Sequence, residues 1–554
     1  MKVDPILPQS RLDAMKSAGF WRDRVLLDDL DGWTARAPDR IAVVDHNSQT
    51  GERTALTFAE LGHRADQLAA GLLRLGIKRG DVVSYQSPNW WQFVALHLAV
   101  LRVGAISNPL MPIFRERELR FMLRTAESRL LVVPRRFRGF DHGAMAEALR
   151  LELPALENVL VVGGEGDTAF EKLLEGPGAA HTEQARAQLA ERRPKPDDVI
   201  QLLYTSGTTG EPKGVMHTSN TLFSALLPMA QRFSLGTSDA VLMASPIAHQ
   251  TGFIYGMMLP IHVGCKTVFQ DMWDAKRAFD LIGAEGVTFT MGATPFLSDL
   301  TNEAERRQRQ PESLRVFVSA GAPIPRTLVR RANVALDARI ISAWGMTENG
   351  AATTTLADDA PEKTFETDGC AIAGMEVRVV DEAGHPLPPD REGRLQIRGA
   401  SNFVGYLKHP EWYGTDADGW FDTGDLARLD ADGYVRITGR SKDIIIRGGE
   451  NVPVVEVEQL IYQHPAILEV AVVAMPDPRL GERACAFVTL REGATLTLRD
   501  LTEFLEQRKL ARNYWPERLE VLPSLPKTPS GKIQKVALRT VAKELPTNRA
   551  QSDR

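Results

Sequence analysis

Residues Tyr204–Val215, YTSGTTGEPKGV, gather three glycines, one serine and three threonines around Glu211, Pro212 and Lys213. Such a stretch suits a loop that wraps an anionic group. Gly207 and Gly210 lack a Cβ and let the backbone turn and approach closely. Backbone N–H groups and hydroxyls supply donors, and Lys213 adds a mobile positive charge. The preceding DVIQLLY is apolar and β-rich, so the loop is expected to leave a buried strand. A G-x-x-x-x-G-K-[ST] loop is excluded, because after the four residues that follow Gly207 the required glycine is Pro212.

The order of residues in this loop resembles the signature of the adenylate-forming superfamily, which includes acyl-CoA synthetases, peptide-synthetase adenylation domains and luciferases. The resemblance implies that Thr205, Ser206, Gly207, Thr208, Thr209, Gly210 and Lys213 hold ATP phosphates, with Thr205 also near Mg²⁺. Further stretches match the family in order. PIAHQTG (246–252) places His249 at an acyl pocket. SAGAP (319–323) brings the backbone of Gly321, Ala322 and Pro323 past adenine. AWGMTE (343–348) resembles a Y-G-x-T-E segment, with Thr347 at the α-phosphate and Glu348 on Mg²⁺. Trp344 replaces the usual tyrosine there, beside Gly345; stacking on adenine survives that exchange, whereas a phenolic hydrogen bond does not.

GWFDTGDLA (419–427) presents Asp425 to both ribose hydroxyls, and GRSKDIII brings Arg440 to the ribose and α-phosphate. LPKTPSGKIQK (525–535) resembles the last family motif, in which Lys532 enters the adenylation site. By the same resemblance Lys442 is a hinge. Gly448 and Gly449 in RGGEN let the pantetheine of coenzyme A pass close to backbone. Lys532 also resembles lysines acetylated in bacterial acyl-CoA synthetases, which makes a lysine acetyltransferase and a deacetylase partners.

The elements that must position these groups read as α/β. A chain of 554 residues exceeds the size of one core, so at least two domains are expected. LTFAELGHRADQLAAGLLRLG (56–76) has helical periodicity, DVVSYQSP follows as a strand, and KTVFQ, VTFTMGAT and RVFVSAG are further strands between helical patterns. FVALHLAVLRVGAIS (93–107) reads as a buried helix running into a strand. After about residue 370, alternation around turn signals predicts an antiparallel β subdomain. The expected architecture is a large N-terminal domain of layered α/β sheets plus this subdomain (1–440), a hinge at 441–442, and a small mobile α+β C-terminal domain (443–554).

The formal net charge of -5 carries no electrostatic footprint for nucleic acid. Cys265, Cys370 and Cys485 have no C-x-x-C spacing, which fits a reducing cytoplasm rather than a disulfide or zinc framework. No run is long and apolar enough for a membrane span.

ATP, Mg²⁺ and coenzyme A are the implied cofactors, and a small carboxylic acid the substrate. Amino-acid-activating relatives carry an aspartate after the position of His249; here Gln250 follows and TGFIYGMM is apolar. The pocket set Phe253, Met291, Gly292, Ala293, Gly345 and Met346 suits a compact apolar acyl group. Each added methylene contributes about 0.8 kcal/mol on burial, so such a pocket grades acids gently. GFWRDRVLLDDLDGWTARAPDRIAVVD and EPKGVMHTSNTL resemble bacterial cyclohexanecarboxylate–CoA ligases and medium-chain relatives. Loading of a carrier protein in trans is the alternative to CoA, and a non-catalytic nucleotide sensor is disfavoured because Thr347, Glu348 and Lys532 are all retained.

Overall fold

The computed structural model describes residues 3–175, 183–205, 212–321, 324–440, 445–447, 450–477, 480–508, 510–528 and 531–545. Two large sheets form the bulk of the chain. The first has nine strands in the order Cys370–Ala371, Gly350–Thr354, Arg339–Met346, Val316–Ala320, Phe289–Gly292, Ala240–Met243, Lys266–Gln270, Ile41–His46 and Arg53–Thr57. Its centre is parallel and its margins antiparallel. The second has six, in the order Lys213–Thr218, Val199–Thr205, Ile106–Pro109, Val82–Tyr85, Leu130–Pro134 and Asn158–Val162. Parallel strands need covered faces, and helices supply the cover.

Helix Phe58–Arg74 starts where the sequence signals it. Thr57 accepts from the Glu60 N–H, and the Glu60 carboxylate accepts from the Thr57 N–H, a reciprocal capping box. Its apolar stripe packs on helix Trp91–Arg102, in which every residue from Phe93 to Leu101 is buried. That helix runs through a short turn into strand Ile106–Pro109, as its apolar run predicts.

The β subdomain is a four-stranded antiparallel sheet, Met375–Val380, Gly393–Gly399, Phe421–Leu429 and Val435–Arg440. A separate mixed sheet begins at Ile445 and includes Ile467–Asp477, Gly481–Leu490 and Arg518–Val521, covered by helices Val454–Tyr462, Leu498–Gln507 and Lys535–Glu544. Mixed α/β layers with a small α+β C-terminal part are the fold class expected from the sequence. None of the described helices is long and apolar enough to cross a membrane.

Candidate active site

Thr205 and Lys213 close the ends of the glycine-rich loop as a cross-strand pair, because Val199–Thr205 and Lys213–Thr218 run antiparallel. Ser206, Gly207, Thr208, Thr209 and Gly210 lie outside the described residues, as do Ala322, Pro323, Lys442, Gly448 and Gly449. The Lys213 ammonium sits over two aromatic rings, 4.9 Å from the centroid of Tyr406 and 5.2 Å from that of Trp412. Such contacts hold a cation without neutralising it. Trp412 is in turn stacked on His409, centroids 3.6 Å apart.

Glu348 is 5% exposed and held twice by one loop. The Tyr406 hydroxyl donates to its Oε1 at 2.7 Å, and the Phe403 N–H donates to its carbonyl at 2.7 Å. Burial raises the Glu348 pKa; the Tyr406 hydrogen bond and the charges of Arg440 and Lys213 oppose this. Two cations thus bear on one buried carboxylate. Among the described residues no three His, Cys, Asp or Glu side chains gather around a metal position. Glu348 supplies one buried carboxylate, and Mg²⁺ on a triphosphate takes one or two protein carboxylates and otherwise keeps water and phosphate oxygens.

Asp425 lies on strand Phe421–Leu429 directly opposite Arg440. Its Oδ1 pairs with Arg440 Nε at 2.9 Å, and its Oδ2 accepts from the Trp344 indole N–H at 2.9 Å. The exchange of tyrosine for tryptophan therefore carries its own polar handle, now spent on the carboxylate expected at the ribose. An ionised carboxylate offers about four acceptor sites, so both oxygens can still accept from hydroxyls. Trp344→Phe keeps the ring and removes the donor. A hydrogen bond to a charged group is worth about 1.5–3 kcal/mol, so the KM for ATP should rise about tenfold or more, with kcat little changed. An unaltered KM in steady-state kinetics would show that the indole N–H does not orient Asp425.

Thr347 is fixed through its backbone. His217 donates from Nε2 to the Thr347 carbonyl at 2.8 Å, and Gln250 Nε2 approaches the same oxygen at 3.5 Å. Burial lowers the His217 pKa to about 4, so the ring is neutral and Nδ1 is an acceptor, facing the Thr221 hydroxyl at 3.0 Å. Gln250, in the position where amino-acid-activating relatives carry aspartate, is 2% exposed, and its Oε1 accepts from Gln201 at 3.2 Å.

His249 accepts on Nδ1 from the Thr251 N–H at 3.3 Å, which leaves the proton on Nε2. Burial, then the Lys532 charge, pushes its pKa down to about 4. It is a neutral donor beside a cation. The following residues Thr251–Met258 form a π-helix, a wound segment common at functional sites. Phe253 is fully buried, edge to face with His97 (4.8 Å) and Phe93 (6.5 Å). Met291, Gly292 and Ala293 end a central strand and lead into helix Thr294–Arg307; Met346 is partly buried at the end of Arg339–Met346. A Cβ on Gly345 would overlap the Gly350 carbonyl, so only glycine fits there.

Lys532 reaches this cluster from the C-terminal part. Its side chain lies along Gly321 (φ +91°), where an added Cβ would stand 2.5 Å from Lys532 Cε, and Gly531 faces Ala293 and Pro295. Thr528 Oγ1 accepts from the Lys532 N–H at 3.0 Å, and Lys527 bridges Ile533. Burial and the Arg440 charge pull the Lys532 amine down to about 8, against Asp425 and Glu348. Lys532, Arg440, Asp425, Glu348 and His249 are thus one electrostatic unit.

The sequence matches the AMP-binding enzyme family over residues 30–407 and the AMP-binding enzyme C-terminal domain over 456–532. The chain belongs to the AMP-binding enzymes. Like other members it is an ATP-dependent, acid-adenylating ligase. It is 36% identical to a medium-chain fatty-acid–CoA ligase of Escherichia coli strain K12, over 97% of this chain and 94% of that one. It is 34% identical to a salicyl-AMP ligase / salicyl-S-ArCP synthetase of Mycobacterium tuberculosis, over 96% and 93%. ATP-bound MatB from Rhodopseudomonas palustris superposes with a TM-score of 0.80 at 27% identity, covering 94% of this chain and 99% of that one.

In this AMP-binding enzyme, Tyr406, Trp412, Phe403, His217 and the inward role of Gln250 escape a reading of motifs. The signal present in the sequence is the aromatic run NFVGYLKHPEWYG (402–414), which sits outside the quoted motifs. Its partners Glu348 and Lys213 are remote in sequence, so nothing local marks it.

Proposed function

We propose that this AMP-binding enzyme is an acid–CoA ligase for an alicyclic acid such as cyclohexanecarboxylate or for a medium-chain acid. The observation that carries the reading is Lys532 docked at Gly321 among Asp425, Glu348 and Arg440. A carboxylate is a poor acyl donor because oxide would have to leave. Its oxygen attacks the α-phosphorus of ATP, the bond to pyrophosphate breaks, and an acyl-adenylate forms. Lys532 and Lys213 neutralise charge on the phosphates, with Thr205 and the loop donors around them. Asp425, buttressed by Trp344 and Arg440, accepts from the ribose hydroxyls. Thr347 donates to the α-phosphate, and its backbone is held by His217. Glu348 would hold Mg²⁺, which would supply charge neutralisation to the triphosphate. The backbone at Gly321, Ala322 and Pro323 passes adenine.

In the second half-reaction the CoA thiol attacks the acyl carbon and AMP leaves. The C-terminal domain turns about Lys442 between the two, withdrawing Lys532 and bringing the Gly448–Gly449 face to the pantetheine. Neutral His249 and the apolar Met291–Ala293 and Met346 surfaces line the acyl side. They offer neither a carboxylate for an ammonium group nor a cationic clamp for a second carboxylate. The medium-chain ligase relative supports this class of acid.

The test is pyrophosphate release with alicyclic, aromatic, branched, C4–C10, amino and dicarboxylic acids, with and without CoA. Alicyclic or medium-chain acids should give the highest kcat/KM, and AMP release should require free CoA. Amino acids or dicarboxylates at the top would overturn the pocket reading. The salicyl-S-ArCP synthetase relative favours a second reading, loading of a carrier protein in trans. AMP release driven by a phosphopantetheinylated carrier and not by CoA would establish that one.

A further inference from the structure

The chain ahead of residue 30 precedes the stretch matched by the family, yet it grips the loop that holds Glu348. Arg11, on helix Gln9–Ser17, donates from Nη1 to the Phe403 carbonyl and the Tyr413 hydroxyl, both at 3.1 Å. From Nη2 it donates to the carbonyls of Gly399, at 3.4 Å, and Asn402. Its guanidinium carbon lies 5.2 Å from the Trp21 ring centroid. The Trp21 indole N–H donates to the Ala400 carbonyl at 2.9 Å, and the Ile6 N–H to that of Val404 at 2.7 Å. The carbonyls of residues 399, 400, 402, 403 and 404 are therefore all taken by the N-terminal arm.

The other side of that loop faces the site. Phe403 donates its N–H to the Glu348 carbonyl, Tyr406 its hydroxyl to the Glu348 carboxylate, and Tyr406 and Trp412 flank Lys213. The Phe403 ring ties these together, with centroids 4.7 Å from Tyr406, 5.0 Å from Tyr413 and 5.2 Å from Phe421. From Val404 on, the loop is pinned to strand Lys213–Thr218 by Val404 N–H to the Met216 carbonyl, Met216 N–H to that of Gly405 and Leu407 N–H to that of Gly214, so the hold of the arm falls on the stretch just before it. A planar guanidinium with donors in a rigid fork can hold several carbonyls at once, which a lysine cannot reproduce.

We propose that Arg11 is a positioning residue for the nucleotide site: by clamping the carbonyls of Gly399, Asn402 and Phe403 it sets where Tyr406 and Trp412 hold Glu348 and Lys213. The proposal rests on the assignment of Glu348 and Lys213 to the ATP phosphates and their magnesium ion.

The experiment is a double-mutant cycle of Arg11→Met with Tyr406→Phe. It reads calorimetric binding of the magnesium complex of a non-hydrolysable ATP analogue, pyrophosphate release, and thioester formation from supplied acyl-adenylate. Arg11→Met should weaken analogue binding about tenfold or more and slow pyrophosphate release to match. Thioester formation should stay within about twofold of wild type. Residues acting through one loop couple, so the double variant should be little worse than the poorer single variant. Additive losses, an equal fall in both half-reactions, or unchanged analogue binding would each overturn the proposal. Arg11→Lys keeps the charge and loses the fork; it should show the same pattern and carries the test if Arg11→Met does not fold. Wild-type protein that binds no nucleotide analogue would instead sink the assignment of the site, which separates the two failures.

Discussion

Lys532→Ala loses acyl-adenylate formation by about 10²–10³-fold or more and keeps the conversion of supplied acyl-adenylate and CoA to thioester. The lower bound is the cost of removing one preorganised donor to developing charge, and here a full charge goes as well. The amine is enclosed with Arg440 and pulled down to about 8, so burying it as a cation is costly until an anion arrives. The sign follows from the direction of that shift. The docked, nucleotide-free pose binds protons less well than free lysine, so docking is favoured as pH rises from about 8 towards the ordinary 10.5 and disfavoured below about 8. A bound triphosphate supplies the missing counter-charge and removes that penalty. Acetylated Lys532 should behave as the alanine variant does, because acetylation removes the charge and adds bulk. Separate assays of the two half-reactions decide it: more than about a tenth of wild-type adenylation in Lys532→Ala is outside the range for such a donor and rules out the assigned role.

Lys442→Pro should have the opposite signature, with acyl-adenylate formation retained and thioester formation reduced by more than about tenfold, or 1.4 kcal/mol in the barrier. Arg440 is anchored in the four-stranded sheet by its pairing with Asp425, whereas Ile445 already pairs with Val452 in the C-terminal sheet. Any rotation between the two bodies must be taken up in the few residues separating them. Proline fixes φ near −65° and also restricts the residue before it, here Ser441. On the proposed two-step cycle the docked position of Lys532 at Gly321 would serve the first half-reaction, so a stiffened connection should penalise departure from it. Single-turnover measurement of each half-reaction, with the thermal midpoint as control, tests this. Equal loss of both halves would mark general damage and remove Lys442 as the pivot.

Much of the architecture was legible because its causes are local. The capping box Thr57–Glu60 and the 3.6-residue apolar stripe of 58–74 specify a helix wherever they occur. The largely apolar stretch Phe93–Leu101, broken only by His97, is satisfied in an interior. The motifs around Lys213, Glu348, Asp425 and Lys532 were legible for a related reason. Each is a short contiguous run, so order and spacing in the chain carry the signal.

Residue types and periodicity were enough for a layered α/β chain, and the resemblance of its motifs for membership of the AMP-binding enzymes. Only the tertiary structure decided how its charged groups are held. Trp344 reads locally as a stacking ring, but its indole N–H is committed to Asp425, which lies on another sheet. His217 reads as one residue of a strand, yet it carries the Thr347 backbone. Tyr406 and Trp412 surround Glu348 and Lys213, and Arg11, near the start of the chain, grips the loop between them. The physical reason is common to all five. A hydrogen bond or cation–π contact depends on ångström-scale distance and angle between side chains, and when the partners are tens to hundreds of residues apart the packing of whole sheets sets that geometry.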